Sequence, residues 1–235
     1  MPRIAGIMDR RIEQRAKVPR YRYREAASLV GRPANTLRRW SVGNRRRQGD
    51  RLVTDEPLIA IDGDRGSGLP LSFLNLLELR MLSSYRDGAG LPAIRMALDY
   101  AANALGEPRP LLSMSFSVEG GRLFTRFAET PDGKELLLDA SAGGQVAFEQ
   151  LVSSVTREIE YEHDVARRWW YRSRAVPLLV DTTVAAGHPI TAETGVRVDA
   201  ITSRLRDGLT RREIAHDTGA RLAEVEAVAA NHQAA

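Results

Sequence analysis

The side chains of this sequence that could do chemistry are mainly arginines, and one dense group of them lies near the N-terminus. A planar guanidinium can donate two parallel hydrogen bonds to a phosphate or to the edge of a guanine base. Asparagine and threonine can also bond to base edges. The residues of this group that we predict to contact DNA are Asn35, Thr36, Arg38, Arg39, Arg45, Arg46 and Arg47.

A second dense group lies between residues 167 and 174, where arginines stand among aromatic side chains. Two of the three tryptophans of the chain fall here. Arginine and tryptophan often anchor protein–protein interfaces, although a buried helix at a domain junction would have the same composition. Both interpretations are open at the level of sequence. The candidates for contact with a partner are Arg167, Arg168, Trp169, Trp170, Arg172 and Arg174.

Acidic side chains precede this second group, and they include Glu158, Glu160 and Glu162 beside His163 and Asp164. On a helix Glu158 and Glu162 would share a face, but adjacent residues would point in different directions. The H-E-x-x-H spacing of a helical metal site is absent. A solvated acidic face is therefore the better interpretation, and we predict no metal site.

Enzymatic chemistry is poorly supported. The four histidines, at 163, 188, 216 and 232, are scattered along the chain. The sequence contains no nucleophile elbow. The glycine-rich stretch at residues 63–68 lacks the spacing of a phosphate-binding loop. We predict neither catalytic residues nor a cofactor.

The charge is distributed unevenly along the 235 residues. Residues 1–51 contain 15 Lys+Arg against 4 Asp+Glu, a net charge of +11, whereas the remainder contains 19 against 26, a net charge of −7. A basic N-terminal part with an acidic body is typical of a protein that binds nucleic acid at one end.

The composition also limits the chemistry and the cellular location that can be expected of the chain. There is no cysteine, which excludes disulfides, thiol catalysis and thiolate metal sites. No run of 18 apolar residues is present, and the N-terminus is charged too early for a secretory signal. We expect a cytoplasmic protein without a membrane-spanning helix.

The N-terminal arginines need a scaffold, and the stretch from Tyr21 to Trp40 supplies a helix, a turn and a second helix. Gly31 permits the bend, and Pro33 has the φ that favours the start of a helix. Leu37 and Trp40 fall on one face of the second helix, which leaves the polar residues outside. This pattern predicts a helix-turn-helix, with an ordinary packed helical hairpin as the alternative.

A basic wing is predicted to follow. Arg45, Arg46 and Arg47 are followed by a turn at Gly49-Asp50, and the segments 52–53 and 58–61 have strand character. Two short strands around a basic turn would form the wing. Arginines of such a wing hold phosphates without reading sequence. The alternative for these three arginines is a solvated charge run.

The N-terminal part of the chain, here called the head, resembles the opening of a MerR-type winged helix-turn-helix. The resemblance is carried by Tyr21, residues 25–27, residues 29–31, residues 36–38 and Trp40. It implies a DNA-binding head.

The central part alternates between helices and strands. Residues 71–85 predict a buried helix capped by Ser72, with a narrow polar face at Asn75, Glu78 and Arg80, and residues 92–105 predict a second helix. A helix as apolar as the first belongs in a core or across a dimer interface. The later predictions are a hairpin over residues 111–127, a strand at 135–138 and a long helix from Gln145 to Tyr171.

The C-terminal part is predicted to be a three-helix domain. A short strand at residues 178–180 and a loop through Gly187-His188-Pro189-Ile190 and Gly195-Val196 precede helices that start near Val198, Glu213 and Leu222. Thr210 and Glu213 have the spacing of a capping box. This tail resembles a small antitoxin-associated domain and also has the order of a second helix-turn-helix, although it lacks a basic recognition helix.

Together the parts resemble a long VapB-type antitoxin. The implied fold is α+β and mainly helical, with a winged helix-turn-helix at 1–66, a central dimerisation module of helices and a small antiparallel sheet at 67–165, and a helical toxin-binding domain at 166–235. The implied partners are operator DNA and a VapC-type PIN-domain ribonuclease, whose carboxylates bind Mg²⁺, in a homodimer or a higher hetero-oligomer with the toxin. The alternative is a MerR-like regulator that senses a small ligand through the central module.

Overall fold

The computed structural model describes residues 11, 13–48, 51–64, 66, 68–86, 91–105, 109–112, 157–162 and 165–233. The chain divides into two compact units. The head unit contains Lys17–Arg157 and His163–Val165, and the tail unit contains Glu158–Glu162 and Ala166–Ala235 together with the N-terminal residues up to Ala16. Residue 66, where the first predicted domain ends, thus lies inside the head unit.

The head unit begins with the predicted helix-turn-helix, formed by α1 (Tyr23–Val30) and α2 (Ala34–Val42). Gly31 ends α1 in the left-handed conformation, with φ 77°, and its N–H donates to the Ala27 carbonyl. Leu37 and Trp40 are buried on the inner face of α2. The Glu25 carboxylate accepts a hydrogen bond of 2.9 Å from the Arg22 N–H. This bond is one of the two that make up a capping box. The other is missing, because it needs an acceptor on the N-cap side chain and a guanidinium cannot accept a hydrogen bond.

The wing is an antiparallel hairpin of β1 (Asn44–Gln48) and β2 (Arg51–Asp55), which pairs Arg45 with Thr54 and Arg47 with Leu52. The three wing arginines therefore lie in a strand and not in its turn. Gly43 leads into β1 at φ 82°, and a Cβ there would lie 2.4 Å from the Asp55 carbonyl oxygen. Only glycine fits this approach.

The predicted strand at residues 58–61 is wrong. The Leu58 N–H donates instead to the Trp40 carbonyl at the end of α2, over 2.6 Å. The Ala60 carbonyl accepts from the side chains of Asn75 and Arg109. The polar main-chain groups of this segment thus have partners outside a β-ladder, which satisfies them equally well.

Two helices complete the described part of the head unit, α3 (Phe73–Arg86) and α4 (Leu91–Leu105). Ser72 caps α3 as predicted, since its Oγ accepts from the Asn75 N–H over 3.1 Å. The predicted polar face of α3 is wrong, because Asn75 and Glu78 are buried at 0% and 3% exposure. Hydrogen bonds within a polar network allow this burial. By its sequence α3 could lie either in a core or across a dimer interface, and in the structure it lies in the core of the head unit.

The central strands cannot be compared with the structure. Residues 110–112 form a 3-10 turn where the predicted hairpin would start. The rest of that hairpin, the strand at 135–138 and the first part of the predicted helix, at residues 145–156, lie outside the described residues.

The tail unit contains a four-stranded sheet in the order β3-β4-β5-β6. Its strands are β3 (Ile159–Glu162), β4 (Val165–Trp169), β5 (Leu178–Asp181) and β6 (Pro189–Thr191). The helix predicted up to Tyr171 is therefore wrong from Ile159 onward, because the acidic and basic side chains pair between β3 and β4 and not along a helix. The predicted loop at residues 188–190 is wrong as well, since Pro189 and Ile190 belong to β6.

The predicted three helices are confirmed as α5 (Val198–Arg206), α6 (Arg211–Thr218) and α7 (Leu222–Gln233). The capping box of α6 is complete, because Thr210 Oγ1 accepts from the Glu213 N–H and the Glu213 carboxylate accepts from the Thr210 N–H. The tail unit is thus a sheet with three helices. None of the helices in the described parts of the chain is long and apolar enough to cross a membrane.

Candidate functional site

The outer face of α2 presents the side chains that were predicted to read DNA. Asn35, Arg38 and Arg39 are exposed, and Thr36 is half-buried near the start of the helix. The opposite face is fixed by Leu37, which is fully buried. The helical period thus separates a packed face from a basic one, as a recognition helix requires.

The wing adds a second basic surface to the head unit. Arg45 and Arg47 are exposed on β1, with Arg46 between them in the strand. Leu52 lies across from Arg47 and is 66% exposed. Exposed guanidinium groups on a hairpin can follow a phosphate backbone.

Three other arginines of the head unit bind to its own structure, and sequence reasoning gave them no role. Arg32 donates to the Oγ and the carbonyl of Ser83, at 2.8 and 3.0 Å. Arg95 donates to the carbonyls of Glu56 and Pro57, at 2.5 and 3.1 Å. Since these partners are distant in sequence, no local pattern could have identified them.

Arg109, the third of these arginines, belongs to a buried polar network around α3. Its guanidinium donates to the Ala60 carbonyl at 2.8 Å and to the Asp62 carboxylate at 3.0 Å. Glu78 accepts from Asn75 Nδ2 at 3.0 Å and lies 3.8 Å from Arg109 Nε. Burial raises the pKa of Glu78 to about 7, although Arg109 and Asn75 oppose the shift. Glu78 is thus a carboxyl that exchanges its proton near neutral pH.

The arginines predicted to bind a partner lie in the tail unit, where buried Asp181 holds two of them. Arg168 Nε donates to Asp181 at 2.6 Å, and Arg167 Nε lies 3.7 Å from the other carboxylate oxygen. Asp181 also accepts from the N–H and Oγ1 of Thr183, at 2.7 and 2.6 Å. Burial would raise the pKa of Asp181, but the bonds from Arg168 and Thr183 outweigh it, so the pKa is lowered. Asp181 is ionised, and it fixes both strand β4 and the turn after β5.

Glu160 on β3 gathers the remaining polar side chains of this cluster. It accepts from Arg174 at 2.6 Å, from Trp170 Nε1 at 3.0 Å and from Arg168 at 3.4 Å. The Arg174 guanidinium also stacks over the Trp170 ring, 5.5 Å from its centroid. Partial burial would raise the pKa of Glu160, but the bonds from Trp170 and Arg174 lower it overall.

The two tryptophans of the cluster have different positions. Trp169 is fully buried in the tail unit, with its ring 6.0 Å from that of Tyr171, so it is closed to a partner in this conformation. Trp170 is half-buried. Arg172 stacks over Tyr171 at 5.5 Å. Within the described ranges of the chain, no group of acidic and histidine side chains could hold a metal ion.

Buried Glu224 at the start of α7 is a further structural carboxylate that sequence reasoning missed. It accepts from the backbone N–H groups of Glu193 and Thr194 at 2.9 and 3.2 Å, and from Thr194 Oγ1 at 2.6 Å. It also accepts from the Arg221 N–H at 3.1 Å. The spacing from Arg221 to Glu224 is that of a capping box, but arginine in place of serine or threonine obscured it.

Comparison with known proteins finds a DNA-binding family within the head unit and a relative that spans most of the chain. Residues 19–98 match the family described as "Putative DNA-binding HTH domain". The curated protein "Putative antitoxin VapB45" of Mycobacterium tuberculosis (strain ATCC 25618 / H37Rv) is 31% identical over 227 residues, which cover 90% of this chain and 92% of that protein. The crystal structure of Rv2018 from Mycobacterium tuberculosis matches with a TM-score of 0.69 at 21% identity, over 90% of this chain and 98% of that one, and supports the fold.

Proposed function

The chain belongs to the family of the VapB45 antitoxin, and on this premise we propose that it neutralises a PIN-domain ribonuclease of the VapC type and represses its own operon. The antitoxin relative and the match to a DNA-binding family both support a regulator. The observation that carries the proposal is that one chain contains both an exposed basic helix, in the head unit, and an arginine-rich cluster, in the tail unit.

Operator binding is assigned to the head unit. Arg38 and Arg39 of α2 enter the major groove, where a guanidinium can bond to two acceptors of one guanine. Arg45 and Arg47 of the wing hold phosphates beside that groove. A homodimer, or a larger complex with the toxin, presents two such heads to two half-sites of the operator.

Toxin neutralisation is assigned to the tail unit. The active site of a PIN-domain ribonuclease is a cluster of carboxylates that binds Mg²⁺, and a guanidinium can take the place of the metal through charge-assisted hydrogen bonds. The tail cluster offers such groups beside Trp170, at Arg167, Arg168, Arg172 and Arg174. The completely buried Trp169 serves the fold and not the contact.

Co-purification tests the proposal as a whole. Tagged full-length chain, expressed together with its neighbouring genes, is expected to retain one small PIN-domain protein in stoichiometric amount and to suppress its ribonuclease activity. Mass spectrometry of the bound fraction identifies the partner. Specific operator binding by the chain alone, with no protein retained, would contradict the antitoxin function and favour a regulator that senses a ligand.

The division between a reading helix and a wing predicts two different effects on DNA binding. Arg38→Ala or Arg39→Ala should weaken the preferred operator by about 1–3 kcal/mol more than unrelated DNA, because a bidentate base contact is lost. Arg45→Ala should weaken binding to all DNA sequences alike. It should also reduce the slope of log K against log salt concentration by about one. Fluorescence anisotropy with operator and scrambled duplexes at several salt concentrations separates the two. Identical behaviour of the helix and wing variants would contradict the division.

A further inference from the structure

We propose that Leu52, near the tip of the wing, inserts into the minor groove of the operator and opens the stacking of one base step there. This inference rests on the operator binding proposed for the head unit. The wing then takes part in sequence selection, in addition to the phosphate contacts of Arg45 and Arg47, and Leu52 acts as an apolar wedge.

One face of the wing combines basic, apolar and hydroxyl side chains. Arg47 lies opposite Leu52 in the hairpin. Arg45, two residues earlier, lies opposite Thr54. Residues paired across a hairpin share a face, and so do residues two apart along a strand. This surface, here called the wing face, therefore consists of four exposed residues, Arg45, Arg47, Leu52 and Thr54.

Leu52 is the most exposed of the large apolar side chains in the part of the chain that the structure describes. It is 66% exposed, and the next of them, Val18, is 43% exposed. A leucine in this position contributes little to folding, because most of its apolar surface stays in water. Burial of that surface against a partner would instead contribute to binding.

The wing carries Leu52 beyond the end of the recognition helix. The hairpin starts with the pair of Asn44 and Asp55, directly after α2 and its C-cap Gly43. Since a strand rises about 3.3 Å per residue, Leu52 lies about 10 Å further out than Asp55. With α2 in a major groove, a reach of this length is enough to cross the adjacent phosphate backbone and to enter the neighbouring minor groove.

The charge of the wing face identifies duplex DNA as its occupant. Both arginines of this face lie on β1, whereas Leu52 lies on β2, so the face has a basic side and an apolar side. The walls of a minor groove are phosphate backbones, and the groove is only about 6 Å wide. Strand β1 can therefore follow one wall through its guanidinium groups while β2 turns the leucine toward the base steps.

Insertion of a leucine makes the wing sensitive to sequence without a hydrogen bond to any base. Proteins that bend DNA from the minor groove use leucine and similar side chains to unstack a base step. The cost of unstacking depends on the step, and it is lowest at pyrimidine–purine steps such as TA and CA. The wing therefore selects an operator that has such a step beside the bases that α2 reads.

The test uses the full-length chain and duplexes of the promoter region of its own operon, in which 2-aminopurine replaces one adenine at a time. The fluorescence of this base rises when it unstacks. The wild-type chain should raise it at one pyrimidine–purine step of each half-site. Leu52→Thr, which keeps a residue suited to a strand, should abolish the rise and weaken operator binding by about 10-fold.

Two further variants and one DNA change sharpen the test. Leu52→Met stays apolar and should keep both the fluorescence rise and the affinity. Leu69→Thr, at another exposed leucine of the head unit, is the matched control and should change neither. Exchange of the brightening step for AA should weaken binding of the wild-type chain and leave that of Leu52→Thr unchanged, because only a wedge is sensitive to that step.

Each outcome has a defined meaning. If the wild-type chain does not bind the promoter duplexes, the proposed operator binding itself fails. If it binds and no position brightens, or the rise persists in Leu52→Thr, Leu52 is not a wedge. Equal weakening of Leu52→Thr on operator and scrambled duplexes would overturn its part in sequence selection. Loss of a co-purified protein or of self-association in Leu52→Thr, with DNA binding intact, would assign the wing face to a protein contact and overturn the proposal.

Discussion

Asp181→Ala is expected to lower the free energy of unfolding of the tail unit by about 1–3 kcal/mol, because hydrogen-bond donors that face Asp181 lose their acceptor. The variant leaves Arg168 without its main partner and removes both acceptor contacts of Thr183 in the turn after β5. Hydrogen exchange of the backbone amides in β4 and β5 reports this loss locally. Asp181→Asn keeps an acceptor for Thr183 and should therefore cost less than the alanine variant.

A second aspartate–arginine pair of the tail unit provides the control. Asp199 pairs with Arg197 at the surface, where their side chains are 61% and 45% exposed. Asp199→Ala should cost no more than about 1 kcal/mol. Equal losses for the two alanine variants would show that burial of Asp181 adds nothing to its contribution.

The head unit is expected to become less stable as the pH rises from 5 to 8, and Glu78→Gln should abolish this decline. The pKa of Glu78 is about 7 in the folded chain against an ordinary value of 4.5. Between these values the folded state holds a proton that the unfolded state has released. The stabilisation is complete below pH 4.5 and is lost as the pH passes 7, by about 3 kcal/mol in total.

The sign of the change of unfolding free energy with pH distinguishes Glu78 from other carboxyl groups. The pKa values of Asp181, Glu160 and Glu224 are lowered, so any change of stability that these groups cause is a gain as the pH rises, opposite in sign to the effect of Glu78. Hydrogen exchange of the α3 amides, corrected for the intrinsic effect of pH, measures the opening free energy at each pH. Glu226→Gln in the tail unit is the control, and a Glu78→Gln variant that kept the wild-type slope would refute the assignment.

The helices that sequence patterns predicted are those with local signals at their ends. Gly31 stops α1, and the capping box of Thr210 and Glu213 starts α6. The exposure of Arg38 and Arg39 follows from the same periodicity, because Leu37 and Trp40 fix the inner face. These features depend on neighbours within one or two helical turns, so the sequence alone determines them.

The short strand predicted at residues 178–180 is confirmed as β5. The other three strands of the tail unit were missed because their signal is not local. Residues 159–169 contain as many charged side chains as an exposed helix would, and Glu160 and Arg168 become partners only when β3 and β4 pair. The same limit applies to the arginines of the head unit. Arg32 and Ser83 are 51 residues apart, so nothing near Arg32 indicates that it is bonded internally and not directed at DNA.

The arginine contacts behind the wing also bear on synthesis of the protein by the ribosome. A nascent chain that has emerged to residue 66 contains the whole winged helix-turn-helix. The carbonyls of Glu56 and Ala60 still lack their hydrogen bonds at this stage, because the donors, Arg95 and Arg109, have not yet been synthesised or have not emerged. The leucines of α3 that close this core arrive later as well. Translation must therefore pass residue 109 before the head unit can form all of these contacts, so a message cut short before that point yields an incomplete head unit.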